Sequence, residues 1–164
     1  MGPKLPDGLA RWVLEHLPYP FIGSTIVPLG VDLGECHDRH RNQVDAGSLL
    51  QELPPPSDDL LKMALVGADL FYSVMTYVFG LTELGGRRGV LSCYRLRDEL
   101  GTRPEILLQR TLVETVHELG HSLGLVHCVV GECPMHRTLW AEGIDTKKET
   151  YCPSCLATLV KNGH

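Results

Sequence analysis

The chain has 164 residues, 43% of them hydrophobic, and a formal net charge of −5. That length suits one domain with a proper core, and no apolar run approaches the roughly 20 residues a membrane span needs. The acidic balance gives no electrostatic footprint for nucleic acid, since the basic pairs Arg87-Arg88 and Lys147-Lys148 are short and interleaved with acids.

Taken in order, the chain alternates helices and strands. Met1-Gly2-Pro3-Lys4-Leu5-Pro6-Asp7 holds no apolar h-region of an export signal, so a cytoplasmic, reducing environment is expected. Asp7 to Leu17 reads as a short amphipathic helix with Leu9, Trp12 and Val13 on one side; His16, on the same apolar side, reads as a structural histidine. Phe21 to Leu29, apolar and β-branched, reads as a strand. Asn42 to Leu53 reads as a helix that Pro54 stops, and Pro54-Pro55-Pro56-Ser57 as a rigid connection within the domain. Leu60 to Val66 reads as a buried strand. Val74 to Phe79 and Gly89 to Tyr94 read as strands around the turn-rich Thr82-Glu83-Leu84-Gly85-Gly86. A long helix starts near Pro104, which suits a first-turn position, and runs to Leu123. A short helix follows Cys152. This order predicts an α/β fold with a mostly parallel sheet.

The long helix carries His117-Glu118-Leu119-Gly120-His121, followed by Gly124 and His127: HExxHxxGxxH. A helix turns about 100° per residue, so His117 and His121 lie about 40° apart, one turn from each other. Two neutral imidazoles so placed can hold one zinc ion. Gly124 can take a left-handed conformation, end the helix and return His127 as third ligand. Three nitrogens leave a fourth position open, which separates a catalytic zinc from a structural one. Water held there ionises near pH 7, at a pKa of about 7. Glu118 accepts its proton and passes it to a leaving amine. The expected chemistry is attack of zinc-bound water, activated by Glu118, on a peptide carbonyl.

Beyond His127 come Cys128, Cys133, Cys152 and Cys155, a C-x4-C pair followed by a C-x2-C pair. Four thiolates fill a tetrahedron, so this metal would be a structural zinc; disulfides or iron are the alternatives, and a reducing compartment argues against the former. Two zinc ions per chain are therefore expected. Since His127 and Cys128 are adjacent, the scaffold of one site would fix a ligand of the other.

The run from His117 to Cys155 resembles the signature of the archaemetzincins, a branch of the metzincin zinc peptidases: HExxHxxGxxHC, four residues, Cys, one residue, Met, a spacer and CxxC. Every fixed element is present; the sixteen-residue spacer between Met135 and Cys152 is one shorter than the usual form. The signature covers about a quarter of the chain. The resemblance implies that Met135 lies in a turn beneath the catalytic zinc, as an apolar base for the histidines and not as a ligand. It implies a metzincin-like mixed, mostly parallel sheet packed on a long active-site helix, with residues 1–124 forming one subdomain and 125–164 a small zinc-bearing C-terminal one. It implies a peptide or small protein as substrate. In metzincins the strand before the helix is an open sheet edge that pairs with substrate; the matching segment is Gly89 to Tyr94, and a buried strand with no substrate role is the competing reading.

Other polar residues say less. Cys36, His37, Asp38 and His40 lie close together without a second half of a site. Cys93 reads as a small buried hydrophobe. Ser122 and Tyr94 are available to stabilise an oxyanion, though nothing demands it, and His136 faces either cleft or solvent. Two other functions are consistent with parts of the pattern. One is a non-catalytic zinc protein that binds a peptide or partner in an occluded cleft. The other is a zinc-ribbon nucleic-acid module, which the acidic balance opposes.

Overall fold

The computed structural model describes residues 4–19, 25–55, 60–98 and 103–163. Its centre is one helix. We number the helices α1 (Leu9–His16), α2 (Ala46–Glu52), α3 (Pro104–Ser122) and α4 (Pro153–Lys161), with a 3-10 turn at Ala141–Thr146. Pro104 occupies the first turn of α3, where its missing N–H costs nothing. Burial extends all round α3 rather than along one stripe, because sheet, α1 and C-terminal segment all pack on it. The helix ends as its sequence predicts. Gly124 has φ 83, Gly124 N–H donates to His121 O at 2.9 Å, and Leu125 N–H to Gly120 O at 2.8 Å. That bond pair is a Schellman motif, which glycine permits at little steric cost.

The strands are β1 (His37–Asp38), β2 (Gln43–Asp45), β3 (Lys62–Val66), β4 (Leu70–Phe71), β5 (Gly80–Thr82) and β6 (Arg88–Ser92). They form two three-stranded sheets, ordered β1-β2-β4 and β3-β6-β5. The longest ladder, Lys62↔Arg88 to Val66↔Ser92, is parallel. β2 and β4 are also parallel, while β1–β2 and β5–β6 are antiparallel. The fold is thus mixed α/β. One core cluster lies between α2 and the strands (Val44, Leu49, Val66, Leu70, Val90). A second joins α1 to α3 (Leu9, Val13, Leu107, Val113). A third joins α3 to the C-terminal segment (Val116, Leu125, Met135, Tyr151, Leu159). No helix among the described residues is long and apolar enough to cross a membrane.

Several expectations need correction. The helix expected from Asn42 begins only at Ala46: Asn42 takes φ 53, residues 43–45 pair as β2, and Asp45 caps α2 by accepting from Ser48 N–H at 2.8 Å. Val74 to Phe79 is no strand; Ser73 is left-handed, and only Val78 forms a bridge, with Leu70. Of the strand expected at Phe21 to Leu29, residues 21–24 lie outside the described residues, and 25–29 pair with nothing as a strand. Finally, β6 is the central strand of its sheet. Its hairpin partner β5 folds outside it and takes the edge position, so of the two readings of Gly89 to Tyr94 the inner strand holds and the edge does not.

Candidate metal centre

α3 presents His117 and His121 side by side, and the turn at Gly124 returns His127 to them. Their ligand nitrogens all lie within 4.8 Å of one another. His117 Nδ1 is 2.7 Å from Pro134 O, and His121 Nδ1 is 2.8 Å from Leu125 O. A carbonyl only accepts, so each Nδ1 carries the proton and each Nε2 presents a bare lone pair. The two Nε2 atoms face each other at 3.1 Å. Two acceptors so close have no favourable contact without a cation between them. Zinc bonds of about 2.0–2.1 Å at tetrahedral angles separate ligand nitrogens by about 3.3 Å, so the donor set fits zinc. Burial, reinforced by the neighbouring His121, pushes His117 down to about 3. Burial also depresses His121 and His127. All three imidazoles are thus neutral at pH 7, the form that binds metal.

Glu118 shares the helix face but turns towards β5. Thr82 Oγ1 donates to Glu118 Oε2 at 2.6 Å. Oε1 lies over Gly80, where an added Cβ would collide with it and stand 2.8 Å from Val90 O. Burial raises the Glu118 carboxyl to about 8, with the Thr82 bond opposing and Glu114 adding to the rise. A carboxyl poised near neutrality can both take and give a proton.

These shifts predict a stability optimum when the histidine site is kept free of metal. Glu118 holds its proton more tightly folded (about 8) than at its ordinary 4.5, so its contribution is complete below pH 4.5 and lost as pH rises through 8. His117 is depressed from 6.5 to about 3, so its contribution is present above pH 6.5 and lost as pH falls through 3. The melting temperature should peak between pH 4.5 and 6.5. Glu118→Gln should flatten the decline between pH 6.5 and 8; an unchanged decline in that variant would contradict the assignment.

Below the histidines, Met135 is fully buried. A Cβ on Gly120 would strike its Sδ, so the small residue between the two helical histidines admits the sulfur against the helix backbone. Met135 sits in a turn closed by His136 N–H donating to Cys133 O at 2.9 Å, and its carbonyl accepts from Cys128 N–H at 2.9 Å. His136 Nδ1 lies 2.9 Å from Cys128 O. One backbone loop thus carries Met135 and is stitched to the residue after His127.

The four cysteines converge at the far side of that loop, their sulfurs also within 4.8 Å of one another. Cys128 and Cys152 sulfurs are 3.7 Å apart, and those of Cys133 and Cys155 are 3.8 Å apart. A disulfide needs about 2.05 Å. Zinc–sulfur bonds of about 2.3 Å in a tetrahedron give sulfur separations of about 3.8 Å, so the set fits zinc and not disulfides. Cys152 caps α4, and Cys155 lies in its first turn. Tyr151 ties this site to α3 by donating from Oη to Val116 O at 2.7 Å.

Among the described residues, the histidine trio and the cysteine quartet are the groups with metal-ligand convergence; Cys36 packs in the first core cluster. Ser122 Oγ is buried without a partner, and Tyr94 is exposed. Neither Ser122 nor Tyr94 bonds to the histidines or Glu118. Sequence reasoning missed Gly80, Thr82, Tyr151, Glu114 and Lys147. Only Glu114 left a signal: it lies three residues before His117, on the same helix face.

Comparisons agree on one family. The model of Peptidase family M54 matches residues 56–161. The archaemetzincin of Archaeoglobus fulgidus is 34% identical over 146 residues, 88% of this chain and 87% of that protein. The archaemetzincin of Thermococcus kodakarensis is 37% identical over 170 residues, covering 96% and 91%. Among solved structures, the Archaeoglobus fulgidus archaemetzincin complexed with malonate matches with a TM-score of 0.82 at 30% identity over 94% of both chains. A zinc-dependent peptidase from Methanocorpusculum labreanum matches with a TM-score of 0.78 at 27% identity, over 94% of this chain and 95% of the other.

Proposed function

Because this chain belongs to peptidase family M54, the archaemetzincins, and is a zinc metallopeptidase, we propose that it cleaves peptide bonds at His117, His121 and His127 with Glu118 as general base. The observation that carries this reading is the convergence of three neutral imidazoles beside a buried, near-neutral carboxyl and an open strand edge. These histidines would hold the catalytic zinc, and Cys128, Cys133, Cys152 and Cys155 would hold a second, structural one. A zinc ion in the histidine site supplies Lewis acidity, polarising a carbonyl and lowering the pKa of water to about 7. Glu118 takes the proton of the attacking water and later hands it to the leaving amine. Thr82 holds one carboxylate oxygen still while the other remains free for the proton. Met135 supports the two helical histidines from beneath.

β5 orients the substrate. Ser92 N–H donates to Phe79 O at 2.7 Å and Glu83 N–H to Arg88 O at 3.1 Å. By alternation Leu81 also faces β6, and Gly80 and Thr82 turn their N–H and C=O groups to the open edge. An extended peptide adds there as a further strand, next to Glu118. Exposed Val126 and Val129 flank the third histidine.

Digestion of a peptide library by zinc-loaded protein tests the reading. Products that disappear in the His121→Ala variant are expected, and a library left uncut by the wild type would sink it. A second test concerns Gly80. Gly80→Ala forces Glu118 or β5 aside, so kcat should fall about 10–100-fold and stability by about 1–3 kcal/mol. Steady-state kinetics with denaturant titration measures both; unchanged kcat would remove Gly80 from the account.

A further inference from the structure

We propose that Lys147 is a positioning residue for the histidine site, acting on His117 through the Pro134 carbonyl; this rests on the peptidase reading above. Lys147 follows the 3-10 turn, far from the motif in sequence, yet its side chain is only 1% exposed, and that of its ion-pair partner Glu114 only 5%. Its Nζ lies 3.4 Å from Glu114 Oε1 and 3.3 Å from Pro134 O. The same carbonyl accepts the His117 Nδ1 proton at 2.7 Å. One oxygen thus receives two donors, and the second holds it where the first requires it.

The elements around this contact are built to keep it. Arg110, one turn before Glu114 on α3, grips Asp145 with two bonds of 2.7 and 2.8 Å. That fixes the segment delivering Lys147. Arg110, Glu114, His117 and His121 form a stripe at helical spacing, and the segment 141–147 covers its first half. Stability alone does not account for the pair, because buried ion pairs are often no better than apolar residues of similar volume. What an apolar replacement cannot do is donate to Pro134 O. Without that donor the carbonyl can swing, His117 can rotate about its side-chain bonds, and Nε2 loses its aim. Partners of ligating histidines commonly change metal affinity or activity about 10–100-fold when removed.

The test uses Lys147→Met and the charge-balanced double variant Glu114→Gln/Lys147→Met. Zinc is returned to full-length protein whose histidine site has been emptied with dipicolinate, and its affinity is read against a chromophoric chelator. Wild-type protein that takes up no zinc there would defeat the peptidase reading itself, so the two failures are distinguishable. We expect the double variant to melt near the wild type yet bind this zinc about 10–100-fold more weakly. Wild-type affinity in the double variant would overturn the proposal and leave Lys147 as a charge balance for Glu114. Should neither variant fold, nitrogen NMR of the wild type with the histidine site emptied still decides. A coupling across the hydrogen bond from Lys147 Nζ to the Pro134 carbonyl carbon supports the proposal, and its absence overturns it.

Discussion

Replacing Glu118 with Ala should lower kcat about 10³-fold while leaving the zinc content unchanged. General bases contribute about 10²–10⁴-fold, and each tenfold step is about 1.4 kcal/mol of barrier. Glu118 bonds Thr82 and lies against Gly80, and it is not among the three side chains whose ligand atoms converge. Its loss therefore removes proton transfer and not a ligand. Stability gives a further discriminator. A buried carboxyl raised to about 8 by desolvation is not a group that holds the fold together at neutral pH, so with the histidine site kept free of metal the variant should melt no lower than wild type at pH 8. Glu118→Gln keeps the shape and the Thr82 partner but cannot take a proton, and should be as inactive. Hydrolysis surviving in either variant would remove Glu118 from the mechanism.

The second large effect concerns the cysteines. Cys155→Ser should destabilise the protein by more than about 4 kcal/mol, a range reached by metal loss and severe core damage. In a chain of this size that lowers the melting temperature by about 10 °C or more. The four sulfurs tie the loop bearing Met135 to α4, and Tyr151 carries the tie to α3. His121→Ala, by contrast, removes one hydrogen bond to Leu125 O from a partly buried position and should cost about 1–2 kcal/mol when the histidine sites of both proteins are kept free of metal. Differential scanning calorimetry of the two variants makes the comparison. Equal melting temperatures would contradict the division into structural and catalytic sites. Because Cys128 N–H bonds the Met135 carbonyl, Cys155→Ser should also loosen His127 and weaken zinc at the histidine site.

The features that could be read from the sequence are those whose cause is local. Pro104 and Gly124 bound α3 by backbone rules that hold anywhere. Histidines four apart share a helix face whatever packs around them. Cys128, Cys133, Cys152 and Cys155 announce a tetrahedron by spacing, and the chain brings their sulfurs together. What could not be read depends on pairing across the chain. Gly80–Thr82 is three residues in a turn-rich stretch, too short for a β-pattern, yet it becomes the strand against Glu118. For β6 the family resemblance suggests an edge and a buried strand is the competing reading; only the return of β5 outside it decides between them. The helix expected from Asn42 starts late because Asp45, already paired in β2, is the better cap. Lys147 resembles any solvated basic residue until the 3-10 turn buries it against Glu114.

Zinc per chain, measured by elemental analysis on wild type and His121→Ala prepared side by side, tests the central claim most directly. The account predicts two zinc ions in the wild type and one in the variant, with peptide hydrolysis confined to the protein carrying two. One zinc in both proteins, or hydrolysis by the variant, would contradict it and place the metal, or the chemistry, somewhere other than His117, His121 and His127.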